Sequence, residues 1–322
     1  MYMTKTPALR RYWYPVAFDR ALDDGPVART LLGESIVVWR SAPGAAPSAS
    51  YDACPHREAK LSKGYVCDGN IVCPYHGWEF SGNGRLAKVP QLDDDDPLPP
   101  KGNLESLRCE ERYGWIWVSL DDDPIGGMPE LPEFAADGWR VVPEYEWMFE
   151  CSAAALIENN LDPAHIAFVH KDSFGAGMSP KIDPPVMERT EFGLRRYNEV
   201  AVASRPGEEG ETRRITVTDL WAPFMGVFRI AYPDGLVHIM VKACTPETDT
   251  RTRLLQFVMR NDTEADRPGA DIVAFDDKVE GEDQAILDGL PAWYPLDPTE
   301  QAHTKADRGT LDLRRWYKEI FE

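Results

Sequence analysis

The chain's capacity for metal chemistry is concentrated in one stretch, Cys54-Pro55-His56-Arg57 followed by Cys73-Pro74-Tyr75-His76-Gly77-Trp78. One residue separates Cys54 from His56, sixteen separate His56 from Cys73, and two separate Cys73 from His76. Two Cys/His pairs on two loops a short hairpin apart can bring two thiolates and two imidazoles to one point. Such a set suits a tetrahedral zinc, or a [2Fe–2S] cluster in which two His replace two Cys on one iron. The single residue inside the Cys54/His56 pair is a narrower knuckle than structural zinc usually uses.

A second concentration runs from Asn159 through Asp162 and His165 to His170, and holds two of the chain's six His. Two imidazoles and a carboxylate from elsewhere make the 2-His-1-carboxylate set that leaves open positions on a non-haem Fe(II). A spacing of five on an ideal helix turns two side chains about 140° apart, so His170 must sit at a helix end or bulge. Taken alone, such a pair is more often structural. A carboxylate could come from residues 271–290, read as a helix whose Ile272, Phe275, Val279, Ile286 and Leu290 form an apolar stripe with Asp283 in its middle. An ionised carboxylate buried there needs a strong partner, and a cation supplies one. Asp276, two turns away on nearly the same face, is the alternative, and Glu280 lies at the stripe's edge.

The elements that must carry these residues are legible in outline. Apolar, β-branched and aromatic runs at Trp13–Phe18 and Glu34–Arg40 predict strands of a small β domain, and Tyr113–Leu120 closes it as a buried strand. Gly82-Asn83-Gly84 marks a turn after the second Cys/His loop. Richness in Pro, Gly and Asp over 121–143 marks a linker, which places one domain at 1–120 and the other at 144–322. In the second, Ala153–Asn160 reads as a helix, and Asp162-Pro163 as the N-cap and first position of another. Runs at 193–204, 213–222, 225–231, 236–245 and 251–260 are spaced as an antiparallel sheet, and 271–290 and 304–321 as helices.

Composition narrows the function classes. The net charge of −19 would repel phosphate backbones and no basic stripe offsets it, which argues against nucleic-acid binding. No apolar run approaches a membrane span, and the first residues are too polar for a signal peptide. The four further Cys lack pairing spacing, which suits a reducing, cytoplasmic setting.

The loops C-P-H-R and C-P-Y-H-G-W resemble those of Rieske clusters, and Asn159 to His170 resembles the N-x-x-D-x-x-H-x4-H signature of the Rieske non-haem iron oxygenases. The likeness spans nearly the whole chain and is greatest to the homotrimeric vanillate and dicamba O-demethylase and saxitoxin-pathway hydroxylase type. It implies an α+β chain, with an N-terminal all-β Rieske [2Fe–2S] domain followed by a helix-grip catalytic domain built on an antiparallel sheet. Cys54 and Cys73 would hold one iron of the cluster and His56 and His76 the other. His165, His170 and an acid would hold a mononuclear Fe(II), and the E-D-x-x-I pattern at Glu282 to Ile286 favours Asp283. Asn159 and Asp162 would be catalytic, Asp162 joining His165 to His76 of a neighbouring subunit in a homotrimer. The implied activity takes O2 and electrons from NAD(P)H, through a separate reductase or ferredoxin, to hydroxylate a small organic substrate or to demethylate it at oxygen or nitrogen. Ring cis-dihydroxylation shares every ligand, and a Rieske electron carrier with a non-catalytic ligand-binding domain is the reading from another class. Arg57, Lys60, Lys63 and Lys88 would receive an acidic electron partner. Trp221, Phe224, Phe228, Met240 and Trp293 are candidates for an apolar pocket, with His238 and Lys242 either polar contacts in it or solvent-facing.

Overall fold

Short strands joined by tight turns make up the N-terminal half of the chain, in a computed structural model that describes residues 1–93, 95–203 and 211–321. The chain divides into two compact units, Arg10–Ile125, and Met1–Leu9 with Gly126–Glu322. In the first unit, β1 (Tyr14–Phe18), β2 (Val27–Leu31), β3 (Glu34–Arg40) and β4 (Pro47–Tyr51) precede β5 (Tyr65–Cys67), β6 (Asn70–Val72), β7 (Glu79–Phe80) and β8 (Leu86–Lys88), and β9 (Ser106–Arg112) and β10 (Trp115–Ser119) end it. They form a six-stranded sheet of order β1-β10-β9-β4-β3-β2 and a four-stranded sheet β5-β6-β7-β8. Asp68 and Gly69 both take positive φ between β5 and β6, the turn whose twist matches a two-residue hairpin. This hairpin sets the distance between the two Cys/His loops. Trp39, Leu61, Ile71, Trp78 and Phe80 pack with Cys54 and Cys73 in one apolar cluster.

The second unit is a seven-stranded antiparallel sheet of order β11-β17-β16-β15-β14-β13-β12. Its strands are β11 (Arg140–Phe149), β12 (Val186–Arg189), β13 (Gly193–Ala203), β14 (Glu211–Trp221), β15 (Met225–Ala231), β16 (Val237–Pro246) and β17 (Thr252–Arg260). The helices are α1 (Ala153–Leu161), α2 (Ile166–Val169), α3 (Gly269–Leu287) and α4 (Arg308–Phe321). The five long strands read from the sequence fall in place, with residue 204 of the first run outside the described residues. No helix among the described residues is long and apolar enough to cross a membrane.

Two boundaries differ from the sequence reading. The first nine residues belong with the second unit, because the Met1 ammonium donates to Tyr294 O and Thr4 binds the Asp249 carboxylate through both its amide and its hydroxyl at 2.8 Å. The expected linker also ends too late. Arg140 to Pro143 already pair with β17, and the register breaks between Pro143 and Glu146, so a proline at an irregularity of an edge strand disguised the strand as loop.

Candidate metal centres

The two Cys/His loops share one backbone turn. The amide of Glu58 donates to Cys54 O at 2.8 Å and that of Gly77 to Cys73 O at 3.0 Å, while Cys54 N donates to Ala59 O and Cys73 N to Trp78 O. Each loop therefore closes over the same four and five residues, and the residue four beyond each Cys is left-handed, with φ of 56° at Glu58 and 73° at Gly77. Glycine takes that conformation without strain and glutamate does not. The His occupies the third place in one turn and the fourth in the other. The His56 and His76 rings lie 4.6 Å apart, and His56 stacks flat on Trp78. Cys54 and Cys73 are buried together, and burial, with Cys73 adjacent, pushes the Cys54 thiol up to about 11 although the His56 and Arg57 amides point at it. Buried neighbouring thiols become thiolates when a cation binds them. His56 Nδ1 is buried without a hydrogen-bond partner, so the donor set fits a cluster with two sulfur and two nitrogen ligands.

The second group forms where α2 faces α3. Asp162 is not the N-cap of a helix opening at Pro163; it is the C-cap of α1, its Oδ1 accepts from Ala164 N at 2.8 Å, and α2 begins only at Ile166. The residue before a proline is pushed toward extended backbone, and Asp162 takes φ −85°, ψ 116°. His165 and His170 consequently flank a single helical turn. Gly175 makes the turn that follows possible. Its amide donates to His170 O at 3.0 Å, and a Cβ there would lie 2.3 Å from Ile166 O.

His165 Nε2 and His170 Nε2 are 3.3 Å apart, and Asp283 Oδ1 lies 3.6 and 3.3 Å from them. The three residues each offer a donor atom within 4.8 Å of the others. With metal bonds of roughly 2.1 Å, donors set 90–110° apart would be roughly 3.0–3.4 Å from one another. Asp283 Oδ1 is buried with no hydrogen-bond partner, so the set fits a cation. Asp276 is turned toward Glu144 instead.

The reason Asp283 is buried differs from the expected one. Phe275 and Ile286 are 39% and 61% exposed and Leu290 is exposed too, while the inward face of α3 is Ile272, Asp276, Glu280, Asp283 and Leu287. That face is acidic because the sheet opposes it with polar groups, Lys242 foremost, whose Nζ is bonded to Glu280.

Several supporting residues were not singled out from sequence. Glu282 Oε2 lies 2.8 Å from His170 Nδ1 and accepts from Ser173 Oγ at 2.7 Å. A carboxylate there holds the proton on Nδ1 and leaves Nε2 its lone pair. Arg196, buried between sheet and α1, donates to Leu161 O and so closes the end of α1 just before Asp162. Arg314 of α4 grips Glu158 of α1 through two bonds of 2.9 and 2.8 Å. Asp162 Oδ2 stands 3.6 Å from His165 Nδ1. Burial alone would raise its carboxyl, but His165 and the Ala164 amide outweigh it and hold it below the usual range. Asn159 lies on α1 with its Nδ2 buried and without a partner. Of the pocket candidates, Trp293 is 47% exposed and donates to Glu300, Trp221 stacks on Phe192, and His238 and Lys242 are both buried.

Sulfur and nitrogen donors in one unit, and two nitrogens with an oxygen in the other, are the donor chemistry of a two-centre iron oxidoreductase. The Rieske [2Fe-2S] domain matches residues 12–108 and the vanillate O-demethylase oxygenase C-terminal domain matches residues 149–322, and the chain belongs to the Rieske non-haem iron oxygenases. This family is a set of oxidoreductases that carry a Rieske cluster and a mononuclear iron and take electrons from a separate reductase. The chain is similar to methylxanthine N1-demethylase NdmA of Pseudomonas putida, 28% identical over 98% of this chain and 90% of that protein. It is 32% identical to the dicamba O-demethylase oxygenase component of Stenotrophomonas maltophilia over 51% of this chain and 48% of that protein. The structure of an NdmA mutant with theobromine superposes with a TM-score of 0.83 at 27% identity, covering 98% of this chain and 92% of that one.

Proposed function

We propose that this chain is the oxygenase component of a demethylase or hydroxylase acting on a small organic molecule, with the cluster on Cys54, His56, Cys73 and His76 and the mononuclear iron on His165, His170 and Asp283. The observation that carries the reading is the convergence of those three side chains, from two separate elements, within 4.8 Å. The bound iron would supply the O2 chemistry, in which substrate, O2, two electrons and two protons give hydroxylated product and water. Where the hydroxylated carbon is a methyl on oxygen or nitrogen, the product breaks down to the demethylated compound and formaldehyde. The methylxanthine relative is an N-demethylase by name, and the dicamba relative an O-demethylase.

The chain's own residues have distinct tasks in this reading. Glu282 and Ser173 fix the tautomer of His170. Trp78 holds the plane of His56. Asp162, set between His165 and the protein exterior, passes the electron from a neighbouring subunit's His76, which requires a homotrimer. Apolar side chains left in solvent on the two helices that carry the ligands, Phe168 at 66% exposure and Ile286 at 61%, support an assembly that covers them. Arg57, Lys60 and Lys63 beside the cluster would receive the reductase or ferredoxin. A cytoplasmic setting accords with six Cys that form no disulfide among the described residues. Iron and sulfide analysis tests the assignment. Three irons and two sulfides per chain are expected, and Asp283→Ala should leave two and two with the cluster's absorbance intact. A protein with two irons, or an Asp283→Ala variant that keeps three, would sink it.

A further inference from the structure

The inward face of α3 carries more than Asp283. Asp276, Glu280 and Asp283 recur at spacings of four and three, so they stack along one side of the helix, and all are buried. The sheet meets them with Lys242 of β16, its cross-strand partner Gln256 of β17, and Glu144 of β11. Lys242 is committed to Glu280 and, at 3.4 Å, to Asn160. Burial would lower the Lys242 ammonium, but Glu280, Asp283 and Asp276 outweigh it and raise it. Gln256 Nε2 donates to Glu144 and, at 3.2 Å, to the Tyr145 hydroxyl. Those bonds fix the amide's orientation and turn its oxygen the other way.

What remains is a wall of acceptors, of which the Glu144 and Asp276 carboxyls face one another and the Glu280 and Gln256 oxygens have no donor. Gln256 Oε1, Glu280 Oε2, Glu144 Oε1 and Asp276 Oδ2 are all buried with no hydrogen-bond partner among the described residues. Glu144 and Asp276 lie against one another, and burial first, then Asp276, pushes the Glu144 carboxyl up to about 10. One proton shared between them serves their facing oxygens and leaves the pair one negative charge, which Lys242, itself bonded to Glu280, and the Arg267 and Arg260 guanidiniums offset in part. The second Glu280 oxygen and the Gln256 amide oxygen, in side chains 1% and 0% exposed, still have nothing to accept from. A buried acceptor left so is costly, and a buried uncompensated carboxylate more so.

We propose that Gln256, Asp276 and Glu280 are substrate-recognition residues, and that the substrate is a small molecule presenting a protonated amine or N–H donors to them while its oxidisable carbon lies at the metal end of α3. Asp276 and Asp283 are seven residues apart, about 10 Å along the axis, the length of a substituted aromatic or bicyclic compound. The negative wall admits a nitrogen donor and disfavours a carboxylate of the same shape. The proposal rests on the reading of His165, His170 and Asp283 as the iron site, because that is what places the reacting end.

Three probes of one shape separate the chemistries: 4-methoxybenzylamine is cationic, 4-methoxybenzamide is a neutral N–H donor, and 4-methoxybenzoate is anionic. Calorimetric titration of the iron-loaded protein, with no reductase present, reads affinity without turnover. The amine is expected to bind at least about tenfold tighter than the benzoate, with the amide between, and Asp276→Asn to weaken the amine about tenfold while moving the amide less than about threefold. Equal affinities, a preference for the benzoate, or no binding of amine or amide at millimolar concentration overturns the proposal. The ranking on the unaltered protein decides the matter should the variant not fold. Iron is counted on the same samples. Two irons per chain fault the iron-site reading, whereas three irons with no preference for nitrogen donors fault the recognition wall alone.

Discussion

Glu282 shows how a single side chain can govern a metal ligand it does not join. His170 is 1% exposed, and each of its ring nitrogens has a carboxylate, Glu282 at Nδ1 and Asp283 at Nε2. Lys278, one turn earlier on α3, stands 3.7 Å from Glu282 and donates to Asp172 O, so the orienting carboxylate is itself held. Glu282→Ala removes the anchor of Nδ1–H while leaving all proposed ligands. Iron affinity should drop about ten- to a hundredfold, measured by competition with a chelator, with the cluster's spectrum unchanged. Retention equal to the parent would mean that Phe174, stacked on His170 at 4.7 Å, holds the ring without help.

At the scale of the element, α3 is packed by charge where an amphipathic helix would be packed by oil. Ile272 meets Val142 and Val258 at one end, and the remaining inward positions down to Asp283 are acids. Such a helix should be sensitive to pH through Glu144, which faces Asp276 of α3, Gln256 and Lys242 of the sheet, and its neighbour Tyr145. Between the ordinary value of 4.5 and about 10, the folded chain keeps a proton that the unfolded chain has released. Stability therefore falls as pH rises through that window. The melting temperature is expected to decline from pH 5 to pH 9, and Glu144→Gln, which needs no proton to stay neutral, should flatten the decline. An identical slope in parent and variant would show that Glu144 ionises in the folded state as readily as in the unfolded one.

At the scale of the whole molecule, the proposed trimer makes Asp162 a test of assembly. A carboxylate can accept N–H bonds from two imidazoles at once, one from His165 and one from a neighbour's His76. Asp162→Asn replaces one acceptor oxygen with a donor. The backbone turn should survive, since Ala164 N can bond to the amide oxygen as it does to Oδ1. The variant should form a trimer with its full iron content, yet its reduced cluster should not reoxidise when O2 and substrate are added in stopped flow. Turnover within a few-fold of the parent would assign Asp162 to the turn alone.

The cluster loops, the family and the long strands are legible in the order of the residues, because these depend on local spacing. A Cys/His pair, a two-residue hairpin turn or an alternating apolar run acts over a few residues and leaves its mark in order. His165 and His170 were legible for the same reason, whereas Asp283 rested on the family's E-D-x-x-I pattern and on an apolar stripe that the fold leaves exposed at Phe275, Ile286 and Leu290. What lay beyond local pattern was decided by tertiary packing. The strand at Arg140 was hidden by Pro143, and its pairing partner β17 is more than a hundred residues away. The first nine residues joined the second unit through bonds to Asp249 and Tyr294. The face of α3 was misread because hydrophobic periodicity assumes that apolar side chains go inside. Here Phe275 and Ile286 are outside and Asp276, Glu280 and Asp283 inside. A helix buries the face its partner opposes with polar groups, and only the folded sheet shows that this partner brings the Lys242 ammonium to Glu280 and the Glu144 carboxyl to Asp276.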